Sequence, residues 1–236
     1  MLQVERLSIH FADREEVQEV VRGISFSVQD GEIVGIVGES GSGKTMTALT
    51  IAGLFKEHAV LDAGTIRLDG TDLLKLTERE MRQVQGNRIG MIFQEPMTAL
   101  NPTMKIGRQV EEVLRLHTDL DSRARKAAVI RALEEVELDE AEKLLFKYPH
   151  ELSGGMRQRV MIAAAMICRP SLLIADEPTT ALDAATQESI LKLLKKLNDK
   201  YGMSILFISH NLRVVKELCT RVFVMKDGEI LEEGET

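Results

Sequence analysis

Eight consecutive residues, Gly38-Glu39-Ser40-Gly41-Ser42-Gly43-Lys44-Thr45, have the types and spacing of a phosphate cradle. Glycines accept positive φ and turn successive backbone N–H groups inward, making a concave anion site at the positive end of a following helix. Lys44 would reach the β- and γ-phosphates of a nucleoside triphosphate, and the Thr45 hydroxyl would sit on Mg2+. Such a pattern is credible only between a strand and a helix. Glu32 to Val37 is an apolar, β-branched run suited to a buried parallel strand. Thr45 to Leu54 carries Met46, Leu49 and Ile51 among small residues, as a helix packed on that sheet would. By itself the stretch specifies a nucleoside triphosphate and nothing about its use.

Other reactive groups fall at the ends of apolar runs. Asp176-Glu177 follows Leu172-Leu173-Ile174-Ala175, putting two carboxylates at the C-terminal end of a strand, where open α/β sheets take ligands. Asp176 would hold Mg2+ directly or through water, and Glu177 would orient or deprotonate an attacking water. Alone, such a pair is an ordinary solvated strand end; the phosphate loop gives it chemistry. His210 follows a strand and Ser209, and an imidazole there can touch a γ-phosphate and keep water and carboxylate in line. Gln94, just beyond Ile89 to Phe93, offers an amide oxygen to Mg2+ and a means of sensing the γ-phosphate.

A second anion site is written in Leu152-Ser153-Gly154-Gly155-Met156-Arg157-Gln158. Ser153 is a good N-cap, and Val160, Ala163, Ala164 and Ile167 fall at i, i+3, i+4 and i+7, so a helix begins at the glycines. A plain capped helix with a flexible lead-in accounts for the same residues, because one nucleotide already has its phosphates wrapped by Lys44. Phe11, at the end of the first strand, is either a packing residue or an aromatic for stacking on a base.

The elements that must position these groups are an α/β frame with a helical interruption. Leu2 to Ile9 alternates like a strand, with Val17 to Val28 as its hairpin partner across the charged link Asp13-Arg14-Glu15-Glu16. Gly64 to Gly70 reads as a strand closed by an Asp-Gly turn, and Thr77-Glu78-Arg79-Glu80 as a capping box opening a short helix. From Met104 to about Cys168 the period is helical: Ile106 to Leu116 is one helix, and Ser122 to Val136 another with Ala127, Ile130, Leu133 and Val136 on its apolar face. The frame resumes at Leu172. Ala184 to Tyr201 is a long helix, Ser204 to Ile208 a strand, and Arg221 to Met225 with Glu229 to Glu233 a hairpin about Asp227-Gly228.

A chain of 236 residues can bury a full core. Its net charge of −7 and the absence of tryptophan argue against a surface built for nucleic acid or anionic lipid. Cys168 and Cys219, far apart in apolar or helical surroundings, read as two buried thiols of a reducing compartment. Met1-Leu2-Gln3-Val4-Glu5 lacks the basic start and apolar core of a signal peptide, and no run approaches the ~18 apolar residues of a membrane helix. Any membrane span would have to come from other chains.

From about Val4 to Glu233 the sequence resembles the ATP-binding cassette (ABC) family. The ordered motifs are the Walker A loop Gly38 to Thr45, the Q-loop Gln94, the signature Leu152 to Met156, the Walker B segment Leu172 to Glu177, the D-loop Ala181-Leu182-Asp183 and the switch His210. The resemblance implies one ABC ATPase domain: an α/β P-loop core with an antiparallel β subdomain (1–93 and 168–236) and an inserted helical subdomain (103–167) carrying the signature. It implies ATP and Mg2+ as ligands, with Glu177, His210, Gln94 and Lys44 catalytic and Thr45, Gln94 and Asp176 on the metal. Phe11, Gly38 to Thr45, Ser153, Gly154, Gly155 and Asp183 would contact nucleotide.

Two cassettes of this family pair head to tail, so Ser153 and Gly155 of one would close over the γ-phosphate held by Lys44 of the other. Within the family, Ile92 to Pro102 and Glu151 to Val160 look like the dipeptide, oligopeptide and nickel importers of bacteria, although Met156 stands where the wider family has glutamine. The expected partners are a second ATPase subunit, identical or related, integral membrane permease subunits and, indirectly, an extracellular substrate-binding protein, but no nucleic acid. The expected location is the cytoplasmic face of the membrane. Met97, Leu100 and Pro102 are the expected permease contacts. Many such ATPases continue beyond the last hairpin, so the sequence is expected to be either a shorter type or part of a longer chain. A soluble ABC ATPase acting on nucleic acid or the ribosome, and a P-loop kinase or GTPase, are the rival readings.

Overall fold

The computed structural model describes residues 1–12, 17–55, 58–180 and 182–236; Asp13-Arg14-Glu15-Glu16 and Ala181 lie outside the described residues. The chain begins with antiparallel β1 (Leu2–Ala12) and β2 (Val17–Val28), followed by β3 (Ile33–Val37) and α1 (Lys44–Ile51). Then come β4 (Ala59–Leu68), β5 (Thr71–Asp72), α2 (Glu78–Val84) and β6 (Ile89–Ile92). A helical stretch follows: α3 (Pro96–Ala99), α4 (Ile106–His117), α5 (Ser122–Glu135), α6 (Ala141–Leu144) and α7 (Gly154–Met166). The chain closes with β7 (Leu172–Asp176), α8 (Ala184–Tyr201), β8 (Ser204–Ser209), α9 (Leu212–Leu218), β9 (Arg221–Lys226) and β10 (Glu229–Glu235).

Two sheets result among the described residues. One is antiparallel in the order β2-β1-β4-β5; the other runs β10-β9-β3-β8-β7-β6 and is parallel except for β10. The parallel strands are apolar on both faces because both faces are covered. On β3, Ile33 and Val37 join one core cluster while Val34 and Ile36 join the other. On β7 the division is Leu173 and Ala175 against Leu172 and Ile174, and on β8 it is Ile205 and Phe207 against Leu206 and Ile208. The period of two thus makes this sheet the wall between two cores. One core holds the sheet against α4, α5, α7, α8 and α9; the other holds α1 and the antiparallel sheet.

Local signals explain several boundaries. Thr77 and Glu80 form the expected capping box at α2, with each side chain bonded to the other's backbone N–H. The Gly202 N–H, at φ 64°, closes α8 onto the Asn198 carbonyl. The α5 face differs from the sequence expectation: Val129, Ala132, Leu133 and Val136 are buried, while Ala127 is exposed and Ile130 half-buried. α5 packs against both α4 and α7, so its buried stripe is set by two neighbours rather than by the best single apolar row. Cys219 is buried as expected, but Cys168 is only half-buried at the end of α7. The short helices α3, α6 and α9 carry too few residues for a helical period to register in sequence.

Candidate active site

Register brings the reactive residues to one rim. Val37 lies opposite Ser209, Asp176 opposite Ile208 and Ile92 opposite Ala175, so the segments that follow β3, β7, β8 and β6 emerge together at the C-terminal edge of the parallel strands. The phosphate loop leaves β3 and enters α1 through Gly43, a left-handed N-cap at φ 97° whose added Cβ would lie 2.6 Å from the Val20 carbonyl oxygen. Only glycine suits both the angle and the space. At Gly38 the constraint is contact: a Cβ would sit 2.0 Å from the Met225 carbonyl oxygen on β9.

Lys44 is only 5% exposed. Its ammonium donates to the carbonyls of Gly38 (2.9 Å) and Glu39 (2.7 Å), spanning the loop. Burial pushes its pKa below the ordinary lysine range, and the Glu177 and Asp176 carboxylates oppose that shift. A poorly hydrated cation beside a glycine loop and a helix N-terminus attracts phosphate more strongly than the same charge in water.

Thr45 donates its hydroxyl to Asp176 Oδ1 at 3.2 Å. These are hard oxygen donors from residues at the loop and the strand end, which fits Mg2+. That ion keeps waters and takes one or two protein carboxylates plus substrate phosphates rather than an all-protein cage.

Glu177 is the hub of the rim. Its N–H extends the β7–β8 ladder to the Ile208 carbonyl (2.9 Å) while its backbone turns left-handed, at φ 46°. That strained angle swings the carboxylate out of the strand's line, the kind of outlier concentrated at working sites. Its Oε2 accepts from Thr180 Oγ1 (2.8 Å), His210 Nδ1 (3.0 Å) and, at 3.4 Å, Gln94 Nε2. A carboxylate offers only acceptors, so His210 Nδ1 carries the hydrogen of this bond. Thr180 was not singled out in the sequence; its spacing three residues beyond Glu177 was the only signal.

Of the remaining expected residues, four belong to the phosphate loop itself and the others lie elsewhere. Ser153 caps α7 by accepting from the Met156 N–H (3.2 Å), and Gly154 and Gly155 start that helix against Leu182 and Thr186. Asp183 caps α8, accepting from the Thr186 N–H (3.0 Å) and hydroxyl (2.7 Å), bonds that hold its carboxyl below the usual range. Phe11 is half-buried in β1 beside Gln18 and Ala59 and packs on the core shared by the two sheets. Glu39, Ser40 and Gly41 are exposed at the loop's outer turn, and Ser42 is buried beneath it. Met97 is 56% exposed and Pro102 is exposed, but Leu100 is only 5% exposed within the helical core, which removes it from the expected permease contacts.

A strand, glycine loop and helix with its lysine, a histidine beyond the end of the neighbouring strand β8 and an acid pair at the end of β7 beside it define a P-loop nucleotide hydrolase. The family described as ABC transporter matches residues 21–180, and the chain belongs to that family, as an ATP-binding and ATP-hydrolysing cassette. It is 47% identical over 235 residues to a probable peptide ABC transporter ATP-binding protein of Sinorhizobium fredii, covering 99% of this chain and 70% of the relative. It is 46% identical to the dipeptide transport ATP-binding protein of Haemophilus influenzae, covering 99% and 71%. Among solved structures, a dimeric ATP-binding cassette in a post-hydrolysis state, bound to ADP and phosphate, is similar at a TM-score of 0.89 and 30% identity, over 100% of this chain and 98% of its own.

Proposed function

We propose that the chain powers a bacterial importer of peptides, working in a head-to-tail pair at the cytoplasmic face of the membrane. The observation that supports this reading is a second capped, exposed helix start in the same chain as the phosphate loop. The Lys44 loop is shaped to wrap one triphosphate, and the exposed Ser153 turn gives α7 a second positive helix end, set against Leu182 and Thr186 rather than against that loop. Pairing two copies, or one copy with a related subunit, gives each turn the other's γ-phosphate to close on. The named peptide and dipeptide relatives support the choice of cargo class.

In that pair, Lys44 and the loop N–H groups bind the phosphates, and Glu177 takes the proton from the attacking water at its carboxylate. His210 keeps Glu177 oriented, and Gln94 links the same carboxylate to the segment leading into α3 and the helical subdomain, residues 103–167. Thr45 and Asp176 would hold Mg2+, which when bound supplies charge neutralisation of the phosphoryl oxygens. Closure makes contacts that exist only with triphosphate present, so nucleotide binding favours the closed pair and hydrolysis releases it. Met97 and Pro102 are exposed on the segment after Gln94 and suit a permease contact.

The test is Glu177→Gln. The variant is expected to bind Mg-ATP, to form a stable dimer measurable by sedimentation, and to release phosphate about 10²–10⁴-fold more slowly. A variant that stays monomeric at saturating Mg-ATP, alone and with a related subunit, overturns the pairing; one with normal phosphate release overturns the role of Glu177.

A further inference from the structure

The direction in which the Ser153 turn faces depends on α7, and the apolar residues of that helix do not form a single stripe that marks its rotation. Val160, Met161, Ile162 and Ala163 are all buried, and four consecutive residues sweep nearly the whole circumference. A helix that is apolar all round lacks the stripe that ordinarily sets its orientation. Polar anchors add directional contacts that burial alone does not supply.

Arg159 is the anchor with the widest reach. Its side chain is 14% exposed. Nη1 donates to the Val136 carbonyl at the C-cap of α5 and to Glu137 Oε2 (3.1 Å), and Nη2 donates to Ser189 Oγ on α8 (2.7 Å). Glu137 is held in turn by Lys196 of α8 at 2.9 Å. Gly155 lies four residues before Arg159, on the same face of α7, and its added Cβ would fall 2.8 Å from Thr186 Cγ2. Thr186 and Ser189 are three residues apart on α8, also on one face. The α7–α8 seam therefore has two fixed points about 6 Å apart along the axis, a close glycine contact at the signature and a guanidinium clamp one turn further on. A planar fork holds its donors in fixed, spread directions that suit acceptors on two elements, whereas an ammonium gathers its three donors at one point on a flexible stem.

We infer that Arg159 is a positioning residue for nucleotide-driven pairing: by clamping α7 to the α5 C-cap and to α8 it fixes the angle at which Ser153 and Gly155 meet the nucleotide of a second copy. The inference rests on the head-to-tail reading above. The hydrogen bonds of Arg159 go to Val136, Glu137 and Ser189 and not to the Lys44 loop, so its expected effect is on pairing rather than on the first binding step.

The experiment places Arg159→Met, Arg159→Lys and Ser189→Ala in the Glu177→Gln background. Monomer affinity is read with a fluorescent ATP analogue, dimer formation by sedimentation across ATP concentrations, and folding by thermal melting. Arg159→Met should leave monomer affinity unchanged and raise the ATP needed for half-maximal pairing about tenfold or more, the effect of losing one charge-assisted bond. Arg159→Lys should rescue only in part, and Ser189→Ala should shift pairing in the same direction by less. If Arg159→Met fails to fold, Ser189→Ala carries the test alone. Pairing at the parent's ATP concentration in a folded variant overturns the inference while leaving the sandwich intact, and so does an equal loss of monomer affinity. A Glu177→Gln parent that never pairs brings down the sandwich first and the inference with it.

Discussion

Gly38 has no room for a side chain because the Met225 carbonyl of β9 lies against it, with Ser42 Oγ 2.8 Å from the same point. Gly38→Ala must push β9 or the loop aside. It is expected to cost about 1–3 kcal/mol of stability in urea unfolding, as overpacking does, and to move the carbonyl that Lys44 uses. A fluorescent ATP analogue should then bind more weakly, and unchanged binding with unchanged stability would contradict the close contact. His210 makes a narrower prediction. It contacts the Glu177 carboxylate but is not part of the phosphate cradle, so His210→Ala should lower kcat about 10²-fold with little change in nucleotide affinity. Equal losses in both would mean that His210 belongs to binding.

At the scale of elements, the ends of α8 are tied down by polar side chains as well as by apolar contact. Asp183 and Thr186 cap its start. At its end, buried Asn198 donates Nδ2 to the carbonyls of Gly31 (2.9 Å) and Met203 (2.6 Å), joining α8 to the turns that lead into β3 and β8. Ser204, also buried, completes the turn by donating to the Gln29 carbonyl and accepting from the Gly31 N–H, both at 2.8 Å. Asn198→Ala leaves two carbonyls short of a partner and is expected to cost about 1–3 kcal/mol in urea unfolding. Because β3 and β8 carry the phosphate loop and His210, weaker nucleotide binding should accompany that loss. A fully stable Asn198→Ala would mean that water replaces the amide without cost.

The stability of the whole molecule has an alkaline limit written into its core. Burial pushes the Cys219 thiol up to about 12, whereas an unfolded thiol ionises near ~8.5. The folded state therefore keeps its proton where the unfolded state loses it. This contribution is complete below the unfolded value and is lost as pH rises toward the folded one, at about 1 kcal/mol per pH unit above pH ~9. Chemical denaturation between pH 8 and 11 should reveal that slope, and Cys219→Ala should flatten it. Under native conditions at pH 8, half-buried Cys168 should react with a small disulfide reagent and Cys219 only after unfolding. Reaction of both at one rate would deny the buried position.

The sequence alone determined what is local. The glycine loop, the Thr77–Glu80 capping box, the Ser153 cap and the limits of α8 all depend on residues within a few positions of one another, where periodicity and capping speak directly. The order of the motifs also gave the class of protein. Tertiary structure decided which distant groups meet: Thr45 reaches Asp176 across 131 positions, and Gln94 and His210 reach Glu177 across 83 and 33. It decided as well that Leu100 turns inward, that α5 buries Val129 instead of Ala127, and that Arg159 joins three helices. The reason is that strand register and helix packing depend on both partners of a contact, and a residue carries no mark of a neighbour that the chain brings to it only on folding.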